Sequence, residues 1–210
     1  MSIPSNKNWN ELNAYKASWK LTQQQREMLV GGLLGDFSLR KIGKHSRLVL
    51  EQKNKEYLFH LYDIFKDFVR TPPKERLQQR LTTSAYKSTW YFSTISHSEF
   101  DDFYNLYYPN GKKIIPSCLN QLLTPCGIAY WFMDDGTNNK SYYAFATASF
   151  SVEEHNLLLD ILQTKFNLVC TVQRKQSPHK TICVSAINDS NKNLRKLIEP
   201  YIVPSMKYKL

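Results

Sequence analysis

Ile128-Ala129-Tyr130-Trp131-Phe132-Met133-Asp134-Asp135-Gly136 is the stretch on which the reading of this chain turns. Its apolar residues suit a buried helix, and that helix runs straight into two carboxylates. The last turn of a helix carries partial negative charge from its unpaired carbonyls, so acids placed there are repelled unless a cation stands nearby. An earlier segment, Leu29-Val30-Gly31-Gly32-Leu33-Leu34-Gly35-Asp36, repeats the design: apolar, rich in small residues, and ended by an acid. Asp36 and Asp135 lie 99 positions apart, and the sequence after each follows the same outline, which makes the chain an internal duplication. Two such helices point to a paired metal site.

The surrounding elements can be read from periodicity and turn chemistry. Thr22 followed three residues later by Gln25 is a capping box that opens the first acid-ended helix. Glycines inside it cost roughly 1 kcal/mol each relative to alanine, so they ask for a reason, and close approach to another helix supplies one. Phe37 to Ile42 and Arg47 to Gln52 alternate about a Gly43-Lys44-His45-Ser46 turn, giving a hairpin with a basic wet face. Leu58, Leu61, Tyr62, Phe65 and Phe68 have helical spacing, and Thr71-Pro72-Pro73 stops that helix. Leu77 to Ser84 and Thr89 to Ile95 are read as strands, and Ser98 to Tyr107 as a helix.

The second half begins at Thr124-Pro125, where proline suits the first helical turn. The acid-ended helix, a turn at Gly136 to Asn139, a strand from Tyr142 to Phe150 and a helix from Ser151 to about Phe166 follow. Strands Leu168 to Lys175 and Thr181 to Ala186 and a helix from Ser190 to Tyr201 complete it. The expected fold class is α+β, with an N-terminal arm over residues 1–20, a first half over 21–110, a linker over 111–123 and a second half over 124–210.

Composition bears on partners. The 210 residues include 28 Lys and Arg against 18 Asp and Glu, a formal net charge of +10, which favours a polyanion such as nucleic acid over a merely solubilising surface. Cys118, Cys126, Cys170 and Cys183 form no metal-ligand pattern and read as reduced core thiols. No apolar run reaches the length of a membrane span and residues 1–7 lack a signal-peptide core, so a soluble intracellular protein is expected, with no membrane partner.

Hydrolysing a phosphodiester requires a deprotonated water, relief of phosphate charge and a stabilised leaving oxygen. Magnesium held by carboxylates supplies all of these. Asp36 and Asp135 are the candidate ligands. Asp134 points about 100° away on the helix and suits a capping or solvent-facing role as well as a ligand's. Lys112-Lys113, Lys207 and Lys209 by themselves describe a solvated face. On the strands Ser38, Arg40, Arg47, Gln52, Gln78, Arg80, Thr82, Lys87 and Thr89, and later Thr147, Thr171, Gln173, Lys175 and Thr181, offer groups suited to base edges and phosphates.

The two acid-ended segments resemble the paired motifs of LAGLIDADG homing endonucleases in their single-chain form, with Asp36 and Asp135 at the eighth, metal-binding place. Thr124-Pro125 with Ala129 to Gly136, Lys53-Asn54-Lys55 before a helix, Lys112-Lys113 before Ile115-Pro116, and Pro204 to Leu210 are similar to yeast mitochondrial members. The first motif departs in having Phe37 where the consensus glycine stands, and the second in having bulky Tyr130 and Trp131. The resemblance implies two pseudo-symmetric αββαββα halves, motif helices at a central interface and antiparallel sheets forming a saddle over DNA. It implies a monomer that uses magnesium, two or three ions, to cut both strands of a long asymmetric site, with Mn2+ able to substitute and Ca2+ binding without cleavage. Metal ligands would be Asp36, Asp135 and the carbonyls of Gly35 and Asp134. Lys113, Lys209 and Gln52 would join the acids in catalysis. DNA contacts would fall on Ser38, Arg40, Arg47, Gln78, Arg80, Thr82, Lys87, Thr147, Gln173 and Lys175. Intron mobility in a mitochondrion or chloroplast would be the use. An intron RNA maturase, or a DNA-binding protein without nuclease activity, is the alternative on the same scaffold.

Overall fold

Each half of the duplication builds the same four-stranded antiparallel sheet, seen in a computed structural model that describes residues 9–79, 86–174 and 180–210. The order of elements is α1 (Trp9–Ser18), α2 (Gln23–Gly32), β1 (Ser38–Ile42), β2 (His45–Gln52), α3 (Lys55–Phe65), β3 (Lys74–Gln79), β4 (Tyr86–Ser93) and α4 (Asp101–Tyr107). There follow α5 (Leu119–Leu122), α6 (Pro125–Asp135), β5 (Gly136–Asn138), β6 (Tyr143–Ala146), α7 (Val152–Phe166), β7 (Cys170–Arg174), β8 (Lys180–Val184) and α8 (Ser190–Ile198). Strand orders are β1-β2-β4-β3 and β5-β6-β8-β7. No described helix is long and apolar enough to cross a membrane.

The chain divides into two compact units. One joins the described residues up to Arg26 to Asp36–Asn105, and the other joins Glu27–Gly35 to Leu106–Leu210. The end of the first motif helix thus belongs with the second unit.

In the first unit α3 covers one face of its sheet. Asn54 caps the helix by accepting from the Tyr57 amide, and Tyr57, Leu58, Leu61 and Phe65 turn inward. Phe59 meets Trp90 and Tyr62 meets Phe92 edge to face, with ring centroids 5.6 and 5.8 Å apart. The capping box closes as expected: Gln25 N–H donates to Thr22 Oγ1 at 3.2 Å and Thr22 N–H to Gln25 Oε1 at 2.9 Å. Residues 9–18, within the expected N-terminal arm, form a helix. Tyr15 donates to the Asp67 carbonyl and the Trp19 ring lies against Phe68, so this helix is held by aromatic anchors rather than by an apolar stripe.

The second unit is organised by contact between the end of α2 and α6. A Cβ built on Gly31 would lie 1.8 Å from the Gly127 carbonyl oxygen, so the two backbones touch and only glycine fits. This is the close approach that the glycines required. Thr124 caps α6 by accepting from the Gly127 amide, and every residue from Cys126 to Met133 is buried. Trp131 stacks on Phe145 with centroids 4.2 Å apart, and Phe132 packs edge-on to Tyr143, which seats α6 on β6. Two strand readings need correction here. Gly136–Asn138, read as a turn, is strand β5, because pairing with β6 overrides its turn chemistry; and β6 ends at Ala146 rather than Phe150. The cysteines are free thiols, and burial pushes those of Cys126 and Cys170 up to about 12.

Two outcomes follow from this packing. Gly31→Ala should lower unfolding free energy by about 3 kcal/mol, at the upper end of overpacking costs, because the obstacle is backbone rather than a movable side chain; urea denaturation followed by circular dichroism measures it. The second concerns Glu99, which receives Lys20 Nζ at 2.9 Å, the Leu21 amide at 3.0 Å and Arg26 Nη2 at 2.6 Å. Partial burial pushes its carboxyl up, but these hydrogen bonds and charges outweigh burial and hold it below its ordinary value. A depressed carboxyl stabilises the fold fully above its unfolded pKa, and the contribution is lost as pH falls through the folded value. Thermal midpoints should therefore drop more steeply in acid for the wild type than for Glu99→Gln, and parallel curves would refute the assignment.

Candidate active site

Helix α6 delivers Asp134 and Asp135 to its own C-terminal turn, the least favourable end for acids. The required cation is Lys209. It stands on a 3-10 helix, Pro204–Lys209, and its ammonium donates to the carbonyls of Met133 at 2.6 Å, Asp134 at 3.1 Å and Phe132 at 3.5 Å. At the end of the first motif the chain tightens into 3-10 turns, with Leu34 N–H donating to Gly31 O and Gly35 N–H to Gly32 O. There Lys113 donates to the Gly35 carbonyl at 2.9 Å. In both motifs an ammonium therefore holds the carbonyl that immediately precedes the acid.

The acids themselves differ in setting. Asp36 is exposed and accepts from the Gln52 amide at 3.3 Å, while Asp135 is half-buried. Gly35 packs against the Asp134 side chain: a Cβ at Gly35 would come within 2.7 Å of Asp134 Cβ and 2.8 Å of Oδ2. Among the described residues no three His, Cys, Asp or Glu side chains converge as a metal cluster. Phe37 replaces the consensus glycine without backbone strain. Gly136, at the equivalent place, has φ −79° and ψ 149°, an extended conformation open to any residue, and Phe37 does not have a positive φ. It is fully buried.

The sheets' other faces are unlike one another. In the first unit the face away from α3 carries Ser38, Arg40, Arg47, Glu51, Lys74, Arg76, Lys87, Thr89 and Tyr91, as the register requires. A groove of about 350 Å3 lined by Arg47, Arg70, Lys74 and Tyr91 opens on it. In the second unit the face away from α6 carries Thr137, Ala144, Ala146, Thr171, Gln173, Thr181 and Cys183, with no charge among the described residues.

The sequence model of the LAGLIDADG DNA endonuclease family matches residues 26–194. The chain belongs to this family. A probable intron-encoded endonuclease 1 of Wickerhamomyces canadensis is 37% identical over 209 residues, covering 93% of this chain and 88% of the relative. A cytochrome b mRNA maturase, bI2, of Debaryomyces hansenii is 35% identical over 201 residues, covering 90% and 74% respectively. The homing endonuclease I-WcaI bound to its DNA recognition sequence superposes with a TM-score of 0.90 at 32% identity, covering 99% of this chain and 95% of that one.

Within this LAGLIDADG endonuclease the expected site residues distribute as follows. Asp36 and Gln52 are brought together, as are Lys113 with Gly35 and Lys209 with Asp134. Ser38, Arg40, Arg47 and Lys87 lie on the charged sheet face, and Gln173 is exposed on the uncharged one. Thr147 does not: it is buried, and its hydroxyl bonds to the Lys180 carbonyl and His155 Nε2, because the strand has already ended one residue earlier. Thr89 is buried too and donates to Glu51. Arg80, Thr82, Lys175 and the side chain of Gln78 lie outside the described residues. Glu51, Arg76 and Tyr91 escaped the sequence reading: Arg76 precedes the strand read from Leu77, and Glu51 and Tyr91 fall within strands without having been singled out. Alternation across from Lys87 and Thr89 was the signal that could have found them.

Lys209→Met should destabilise the protein by about 1–2 kcal/mol in metal-free, low-salt buffer, the range for a partly buried cation at a helix C-terminus, with Lys209→Arg recovering part of the loss. Equilibrium unfolding of the three proteins tests this.

Proposed function

We propose that this LAGLIDADG endonuclease makes a double-strand break in a long asymmetric DNA site, using magnesium held at Asp36 and Asp135, and that it does so as a monomer serving intron mobility in an organelle. The carrying observation is the twinned arrangement of lysine, carbonyl and acid. Ammonium groups rest on the Gly35 and Asp134 carbonyls, so these are cation sites by the chain's own chemistry, and each lies one residue before an acid. That donor set fits a hard divalent ion, which takes a few protein oxygens and leaves its other positions to water and phosphate. When bound, such an ion lowers the pKa of water and offsets charge on the phosphate.

The chain's own residues do the remainder. Asp36 and Asp135, with the carbonyls of Gly35 and Asp134, would hold the ions. Gln52, bonded to Asp36 Oδ2, fixes that carboxylate and orients water beside it. Lys113 and Lys209 carry positive charge to the two helix ends, where it balances acids and phosphate alike. The basic face of the first sheet supplies the electrostatic hold on DNA. Having both acids in one chain suits an asymmetric site, one acid to each strand. Host intron RNA is a second partner to test, because relatives named as maturases match most of the chain.

The protein should cut duplex DNA carrying the uninterrupted insertion site when Mg2+ or Mn2+ is present, and bind it uncut in Ca2+. Asp36→Asn and Asp135→Asn should each reduce double-strand cleavage by at least about a hundredfold, since even outer partners of metal ligands are worth 10- to 100-fold. Cutting by Asp135→Asn at the wild-type rate would overturn the metal assignment. Tight binding to host intron RNA with splicing rescue, and no DNA cleavage, would establish the maturase reading instead.

A further inference from the structure

The outer face of the first sheet contains one cluster whose geometry is more specific than a basic surface. Arg76 lies flat over Tyr91, its guanidinium carbon 4.3 Å from the ring centroid. One of its nitrogens, Nη1, donates to Glu51 Oε2 at 2.8 Å. The other oxygen of that carboxylate, Oε1, receives Thr89 Oγ1 at 2.6 Å. Strand pairing sets these four side by side, with Glu51 opposite Tyr91 and Arg76 opposite Thr89. Thr89 is buried, whereas the Arg76 side chain keeps 43% of its surface open.

From this arrangement we infer that Arg76 reads a guanine in the major groove of the target, and that Glu51, Tyr91 and Thr89 are the positioning residues that aim it. This rests on the DNA endonuclease assignment. An exposed arginine normally loses much rotamer freedom on binding. Here stacking fixes the plane of the guanidinium and the carboxylate fixes its rotation, leaving Nε and Nη2 as a planar pair of donors. That pair matches the O6 and N7 acceptors of guanine, the base that arginine contacts bidentately. A phosphate clamp is disfavoured by Glu51. The carboxylate neutralises the arginine and would itself be repelled by a phosphate drawn to the same place. As an ion pair alone the contact would contribute little, both side chains being well exposed to water.

The test is selection from a randomised duplex DNA library, followed by binding measurements in Ca2+ on the selected duplex with each base pair changed in turn. The wild type should show a position where replacing guanine weakens binding about tenfold, as for one bidentate contact. In Arg76→Ala that preference should vanish while preferences elsewhere persist, and in Glu51→Gln and Tyr91→Leu it should weaken at the same position. Circular dichroism melts check that the variants fold. Variant profiles matching the wild type at every position, or uniform weakening without change in base preference, would overturn the inference. Selection of no sequence by the wild type would count against the endonuclease reading itself, a distinguishable failure.

Discussion

The second unit depends on two backbones in contact, Gly31 on α2 and Gly127 on α6. Neither helix could bring its terminal residues to a neighbour through side chains, because a single methyl group would collide with a carbonyl oxygen. The contact also explains why a helix so apolar tolerates glycines: the propensity lost locally is offset by burial of α6 from Cys126 to Met133. Gly35 continues the same logic at the far end of the segment, lying so close to Asp134 that the seventh place of the first motif has no room for a side chain.

Charge is then balanced at the helix ends. Acids at a C-terminus are opposed by carbonyl dipoles, and the protein answers with lysines from distant parts of the sequence, Lys113 for one motif and Lys209 for the other. These lysines bond to backbone carbonyls. That choice leaves their attraction to the carboxylates as a through-space effect.

Much of this was legible in sequence, and the exceptions have physical causes. The capping box at Thr22, the proline after Thr124, the helix start at Ser151 and the doubled motif set the outline of both halves, because such signals and periodicity are local. Helix α1 was invisible because its stability comes from Tyr15 and Trp19 docking on Asp67 and Phe68, far along the sequence. Strand β5 was hidden by turn-forming residues that pairing with β6 converts to a strand. At the candidate site the two acids could be named from the motifs, whereas Lys113, Lys209 and Gln52 followed only from the family resemblance. Thr147 could not be placed correctly, since a one-residue error in strand length turns an outward donor into a buried one. The Arg76 cluster needed the register of three strands, which no local pattern records.

The contrast between the two sheet faces has its own consequence. Releasing condensed counterions from DNA requires cationic side chains, and among the described residues only the first sheet's open face supplies them. The second presents threonine hydroxyls, the Ala146 methyl and one amide, with no charge among the described residues. Described cationic side chains, whose attraction to a polyanion salt weakens, therefore gather on one of the two open faces.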